Sequence, residues 1–329
     1  MKQFFCLIPA ALLFLSCNST FEPNGTYEER MIIFSVLKST TDTQYVRVYS
    51  TYDPSTNNPL THSVDTEVTD AVVTVSGGGD VVTFHDTVVV RADTTTLYGK
   101  FMHTFVAYKF KPKPNVAYKL TVASPTKGTV TSSIISFPAG TVTTQGNVQS
   151  TLTAPNAPTS DSSIRIVVQL AIDVPAYLTR FILRYKEYVN GVWVMREREV
   201  PQYIRKGSSF DNFTPFYPEV MLRGQNSTGL FAGQESVNFT KESYIATVRL
   251  LKYTIGPSRI EFDGAYFILD QMSQSLFSYY SATNQTADKI SIRLDQIDYT
   301  NIEGGFGLFA MKTMSESFYI KLPIDIDVD

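Results

Sequence analysis

Six carboxylates in the C-terminal half, Glu261, Asp263, Asp270, Asp295, Asp298 and Glu303, are the residue type from which glycosidases draw their acid and base. That chemistry needs two of them held across a scissile bond, and nothing in their spacing puts a chosen pair on one face. A hydrolase with paired carboxylates therefore stands third among the functional readings, and the chain is not expected to be an enzyme. His85 and His103 fall in separate strands; scattered histidines of this kind are more often surface or core groups with their hydrogen bonds met. The terminal run Asp325-Ile326-Asp327-Val328-Asp329 opens like a calcium loop but stops before the required glycine and glutamate. There is no Gly-x-Ser-x-Gly elbow, His-Glu-x-x-His helix or nucleotide loop. No cofactor and no metal are expected.

Binding chemistry is better represented than catalysis. Trp193, Tyr203, Phe210, Phe213, Phe216 and Tyr217 concentrate aromatic rings within one stretch. Such rings stack on sugars or anchor a protein partner, and they equally fill a core, so both readings stand. Asn301, Glu303 and Phe306 lie in the glycine-rich loop 299–309. Strands are expected on both sides of it, so its glycines read as positions of positive φ or close packing rather than a phosphate cradle. The alternative is a rim loop touching a partner. Lys109, Lys111 and Lys113 alternate with Phe110 and Pro112, which puts three ammonium groups on one face, either for anionic groups or as edge gatekeepers. Asp86-Thr87-Val88 and Asp93-Thr94-Thr95 resemble short bacterial O-glycosylation sites, with Thr87 and Thr94 as acceptors.

The N-terminus carries an address. Met1-Lys2-Gln3 precedes an apolar run over 4–15, about half the length needed to cross a bilayer, so 1–16 reads as a signal peptide. Leu13-Phe14-Leu15-Ser16-Cys17 resembles a bacterial lipobox, with Phe14 where leucine is commonest. The resemblance implies a diacylglyceryl, palmitate-type anchor on Cys17. The two cysteines, Cys6 and Cys17, both lie in this region, which excludes cysteine metal sites and internal disulfides from the body. Residues 17–29 read as the lipidated cysteine and a polar tether. Asn18 is not the aspartate that retains lipoproteins in the inner membrane of enteric bacteria, so the outer membrane is expected, with the leaflet open.

The body must position these groups on β-structure. The full chain of 329 residues carries 31 acidic and 28 basic side chains, a net charge of −3, and 43% of it is hydrophobic. This is globular composition without the basic excess of a nucleic-acid binder, so nucleic acid is not expected as a partner. Short alternating β-branched runs at 31–37, 45–51, 71–76, 81–84, 87–90, 105–110, 117–123 and 129–137, separated by Gly, Pro and Asn, predict an antiparallel sandwich over 30–140. An immunoglobulin-like or transthyretin-like fold fits best. A Thr-, Ser- and Pro-rich linker follows at 141–163, then a second β-rich unit at 164–329. In that unit 179–188 pairs with 192–200 across Asn190-Gly191, whose positive φ suits a type I′ turn. Residues 201–238 read as a long irregular stretch, 244–253 as a strand, 269–283 as the one amphipathic helix, and 289–294 and 318–322 as strands.

Taken together, the lipobox, the strands 70–75 and 118–122, the Tyr279-Tyr280 helix and Asn301-Ile302-Glu303-Gly304-Gly305-Phe306-Gly307-Leu308-Phe309 resemble one family. It comprises uncharacterised outer-membrane lipoproteins of Bacteroidota-type bacteria with a domain of unknown function, often encoded beside TonB-dependent receptors. The resemblance covers nearly the whole chain beyond Cys17 and carries over no catalytic residue. It implies a membrane partner through the lipid and a non-catalytic accessory or binding role beside a TonB-dependent receptor in nutrient uptake. The alternative from the aromatic stretch is a surface glycan-binding or adhesive lipoprotein.

Overall fold

The structure, a computed structural model, describes residues 27–52, 66–91, 99–144, 146–157, 162–206, 213–227, 231–284 and 299–327. Cys17 with the expected signal peptide, most of the expected tether, Thr94, Phe210, Asp295, Asp298 and the strand expected at 289–294 lie outside the described residues. The mainly β architecture is what the chain adopts. Seven strands make the first half: β1 (Met31–Lys38), β2 (Gln44–Ser50), β3 (Val72–Gly77), β4 (Asp80–Val90), β5 (Phe101–Ala107), β6 (Ala117–Ser124) and β7 (Gly128–Ile135). Their alternation sends Ile33, Val46, Val48, Val73, Val75, Leu120 and Val122 into one core. Burying each of these aliphatic side chains contributes about 1.5–3 kcal/mol. The first part of β4 pairs with β3 and the second part, from His85, with β5. One strand thereby serves two layers, and the sheet folds over Phe84 and Phe105 as a sandwich.

The second half adds β8 (Thr141–Thr144), α1 (Val148–Thr153), β9 (Ser163–Gln169), β10 (Ala176–Val189), β11 (Val192–Val200), β12 (Tyr203–Lys206), β13 (Phe213–Phe216), β14 (Met221–Leu222) and β15 (Gln234–Thr240). These are followed by α2 (Lys241–Ile255), β16 (Ile260–Met272), α3 (Gln274–Asn284), β17 (Phe306–Glu316) and β18 (Ile320–Lys321). The β10–β11 hairpin forms as expected, with Asn190 at φ 50° and Gly191 at φ 87°. The small sheet β15-β9-β8, with α1 and α2, closes over β10 and β16 around Phe181, Phe239, Tyr244 and Phe267.

Tyr177 is fully buried in this core, and burial pushes its hydroxyl up to about 12. A raised folded value stabilises the fold fully below pH 10, where the unfolded tyrosine is also neutral. That contribution is lost as the pH climbs from 10 toward 12, and over two pH units it amounts to about 3 kcal/mol. Urea unfolding of wild type and Tyr177→Phe at pH 9 and pH 12 tests this: the variant is expected to lose less stability across the interval. Equal losses in the two proteins would remove Tyr177 as a source of alkaline lability.

β17 joins the halves. Residues 306–312 run parallel to β1, from Ile32 opposite Phe306 to Lys38 opposite Lys312, and residues 312–316 pair with β16. Eleven strands thus follow one hydrogen-bonded order, β11-β10-β16-β17-β1-β2-β5-β4-β3-β6-β7, that runs through both expected units, while β8, β9 and β15 form a sheet of their own, as do β12 and β13.

Several local expectations are corrected. Residues 244–253 are helical: Tyr244, Thr247, Val248 and Leu251 are buried at spacings of three and four, and Thr240 caps the start by accepting the Ser243 N–H. The β-branched content that suggested a strand is outweighed by that buried face. The expected helix at 269–283 starts only at Gln274, because Leu269 to Met272 finish β16 in register with Ser315 to Lys312. The segment 141–163 holds β8 and α1, whose Val142, Val148 and Leu152 enter the second core, and 201–238 contains four strands or parts of strands. Lys109, Lys111 and Lys113 are exposed and alternate with buried Phe110 and Pro112, yet they lie outside any strand, with Lys109 at φ 58°. Lys113 is paired with Asp80 at 3.0 Å.

Candidate functional site

The aromatic stretch does not fill the core. Tyr203 and Phe216 sit directly opposite each other on the two-stranded sheet β12–β13, with ring centroids 4.6 Å apart and planes at 7°. The Arg205 guanidinium lies over the Phe216 ring at 5.1 Å from its centroid. The cross-strand stack holds the hairpin rigid without burying it: Tyr203 and Tyr217 remain 43% and 42% exposed, and Phe213 is half-buried at the start of β13. A tyrosine and an arginine on a rigid surface element are the side chains that most often anchor a protein partner. Trp193 is 43% exposed against Tyr188, 5.2 Å between centroids, beside the β10–β11 turn. Seven residues of extended strand, about 23 Å, separate it from Val200 where the chain turns toward β12. Trp193 is therefore not part of the 203–217 cluster.

The loop before β17 is a clasp. Asn301 accepts the Phe309 N–H on Oδ1 at 2.8 Å and donates Nδ2–H to the Phe309 carbonyl at 2.6 Å, while Ser132 Oγ donates to the Asn301 carbonyl. Glu303 exchanges both backbone bonds with Thr131 of β7 and accepts the Thr131 hydroxyl at 2.9 Å. Ile302 enters the first core, and Arg30 lies 5.7 Å over the Phe306 ring. Asn301, half-buried, and Glu303, exposed, thus hold the clasp, and Phe306 keeps 40% of its surface exposed. The expectation that the glycines serve the backbone matches Gly304 at φ 81° and Gly307 at φ 110°.

The carboxylates are not brought together as a catalytic pair among the described residues. Asp263 accepts the Tyr319 hydroxyl and the Arg184 Nε–H at 2.9 Å, with Arg184 Nη2 at 2.8 Å. The Tyr319 bond, supported by Arg184, holds its carboxyl below the usual range against the opposing effect of burial. Asp270, only 1% exposed, lies 2.9 Å from Lys312 Nζ and 3.6 Å from Arg180 Nε. Seven strand residues, roughly 23 Å, divide the two carboxylates, beyond the roughly 5 to 9.5 Å that glycoside hydrolysis uses. Glu261 is paired with Lys186 at 3.7 Å. His103 Nδ1 meets Asp86 at 3.1 Å, whereas His85, adjacent to Asp86 in β4, points to the opposite face of the sheet. Thr87 is half-buried in the middle of β4 opposite Thr104. Among the described residues, no group of three His, Cys, Asp or Glu is placed to hold a metal ion.

A family model described as a domain of unknown function (DUF4249) matches residues 18–317. The chain belongs to that family. The DUF4249 match takes in the first core, all of the second but Ile320, Leu322 and Ile326, the aromatic hairpin and the clasp. A comparison with curated proteins finds no match. No helix among the described residues is long and apolar enough to cross a membrane.

Two polar clusters of this DUF4249 chain escaped sequence reasoning: Arg184, Asp263 and Tyr319 across β10, β16 and the C-terminal segment, and Arg47, Tyr49, Glu67 and Arg91 on the outer face of the first half. The alternation Tyr45-Val46-Arg47-Val48-Tyr49 signals that large polar side chains share one face; their convergence with Glu67 and Arg91 is tertiary.

Proposed function

We propose that this chain is an outer-membrane lipoprotein of Bacteroidota-type bacteria, anchored through Cys17, that acts without catalysis as an accessory or binding partner of a TonB-dependent receptor in nutrient uptake. The observation that carries the reading is the β12–β13 hairpin, an ordered and solvent-facing stack of Tyr203, Phe216 and Arg205. Rigid aromatic and arginine anchors lose little entropy on binding, and they are the residues around which stable protein interfaces are built. The lipobox at 13–17 supports the membrane address, and the paired state of Asp263 and Asp270 leaves them poorly placed for acid–base work.

Affinity purification of the tagged full chain from native outer membranes in mild detergent tests this. Wild type is expected to recover a TonB-dependent receptor in stoichiometric amount, and Tyr203→Ala to reduce that recovery about tenfold or more while leaving the melting temperature nearly unchanged. Recovery of the lipoprotein alone overturns the reading.

A second reading, glycan binding, rests on the exposed outer face of the Tyr203 ring. Phe216 is already stacked on Tyr203 and carries the Arg205 guanidinium over its ring, so the hairpin offers less open ring surface than the extended platform a long glycan needs. A glycan array with signal lost in Tyr203→Ala, together with absence of a receptor in the purification, would move this reading to the front.

A further inference from the structure

The register of the first half gathers several strand ends on one side of the molecule. Met31 at the start of β1 lies opposite Ser50 at the end of β2, and Ile32 lies opposite Phe306 at the start of β17. β5 is antiparallel to β2, so it begins with Phe101 at this same end, where β4 finishes with Val90. The chain also enters here: the Tyr27 hydroxyl bonds Thr51 Oγ1 at 3.0 Å, the Thr51 N–H donates to the Arg30 carbonyl at 2.8 Å, and Lys127 Nζ donates to Glu29. β4 and β5 run on past the first core as an arm. Phe84 and Phe105 on its inward face are buried, and the same alternation continues through Asp86, Val88 and Val90 on β4 and His103 and Phe101 on β5. Beyond the Asp86–His103 contact at 3.1 Å this face is apolar and open, with Val88, Val90 and Phe101 at 52%, 57% and 59% exposure. Val90 and Phe101 are directly opposite in the ladder, and the Lys100 ammonium lies 5.8 Å from the Phe101 ring centroid.

Single exposed apolar residues are ordinary, but a strand face that continues a core with no layer over it marks a contact surface. What covers it follows from where the chain is tied. Tyr27 stands ten residues after Cys17, a length that spans at most about 35 Å when fully extended. A lipid on Cys17 therefore keeps the end of the fold that carries Tyr27, Val90 and Phe101 next to the bilayer. We propose that Val88, Val90 and Phe101 dock the β4–β5 arm into the headgroup–acyl boundary of the membrane, so that the protein stands on this end rather than swinging from its tether. Phenylalanine and valine partition into that boundary, and Lys100 beside the ring lays its stem along the apolar surface while its ammonium meets a lipid phosphate. This docking rests on the Cys17 anchor proposed above, and it uses neither the aromatic hairpin nor the receptor contact assigned to it.

Trp193 is the single tryptophan of the chain and supplies the control. It lies at the opposite end of the sheet, because β17 runs from Phe306 to Glu316 opposite Ile268, and β16 extends away from there to Ile260 opposite Glu187, beside the β10–β11 turn. The test uses the full chain purified from native outer membranes, its Cys17 lipid read by mass spectrometry, in vesicles of dioleoylphosphatidylcholine with and without bromine on the acyl chains. Phe101→Trp in a Trp193→Phe background is expected to lose about half or more of its emission to the brominated lipid, whereas Trp193 of the wild type changes little. Adding Val88→Glu and Val90→Glu to Phe101→Trp is expected to abolish the quenching with the lipid still on Cys17. Should that variant not fold, the comparison of residue 101 with Trp193 still decides. A lipidated chain quenched no more at 101 than at 193 overturns the docking alone. If receptor recovery is then lost in Val88→Glu/Val90→Glu, the face belongs to a protein partner instead. A Cys17 of unmodified mass overturns the anchor, and the docking with it.

Discussion

Gly307→Ala is expected to unfold the clasp between β17 and β1. Gly307 has φ 110°, a conformation that side-chain-bearing residues rarely adopt, and it lies opposite Ile33 in the parallel ladder. A Cβ built there would sit 1.9 Å from the Ile33 carbonyl oxygen, 2.8 Å from its carbonyl carbon and 2.9 Å from its nitrogen. All three atoms are backbone of a central strand, so no rotamer change makes room and the two strands must separate. Strain at such a position together with loss of the ladder is expected to cost about 4 kcal/mol or more, which places the variant near or below the threshold of folding. Gly304→Ala is the control. It also has positive φ, but its nearest neighbour is the Thr129 carbonyl at an ordinary 3.5 Å, so only the conformational cost of about 1 kcal/mol applies. Urea unfolding with hydrogen exchange on the β1 and β17 amides measures both, and a Gly307→Ala cost no greater than that of Gly304→Ala would show that close approach is not what holds the glycine.

The second large effect is expected at Phe181. Its ring is fully buried and stacks on Phe267 at 4.5 Å, with Tyr244 of α2 at 5.9 Å and Phe239 of β15 edge-on at 5.5 Å. One side chain on β10 thus joins the large sheet, the small sheet and the helix over it. Phe181→Ala removes the transferred area and leaves a cavity whose walls are set by three separate elements, so collapse cannot fill it. The expected cost is about 3–5 kcal/mol. Phe318→Ala, at a residue 88% exposed, is expected to change stability by about 0.5 kcal/mol or less. If equilibrium unfolding puts the two variants within 1 kcal/mol of each other, the aromatic cluster is not the mechanical centre of the second half.

The sandwich half was readable because its strands alternate, and alternation is a local signal: β1, β2, β3 and β6 each bury every second residue. The Asn190-Gly191 hairpin was readable because a two-residue turn needs positive φ and the sequence supplies it. Helix α2 was not, since Tyr244, Val248 and Thr247 are bulky or β-branched residues whose local preference opposes the helix, and only burial against Phe181 and its neighbours reverses the preference. Of the candidate contacts, the aromatic residues could be named but not placed, because the same rings satisfy a core or a surface equally well until the fold determines which face is covered.

By itself the sequence determined the class: a mainly β chain whose two cysteines, Cys6 and Cys17, are confined to its first seventeen residues. It also determined where glycine was indispensable, because positive φ and close packing are demands made at single positions. The tertiary structure alone decided that residues 306–312 return to pair with 32–38, making one hydrogen-bonded path through what read as two units. It alone decided that Asn301 and Glu303 are clasp residues, and that Arg47, Tyr49, Glu67 and Arg91 share one face. Pairing between strands some 270 residues apart depends on a whole sheet being complementary at once, and no window of sequence carries that information.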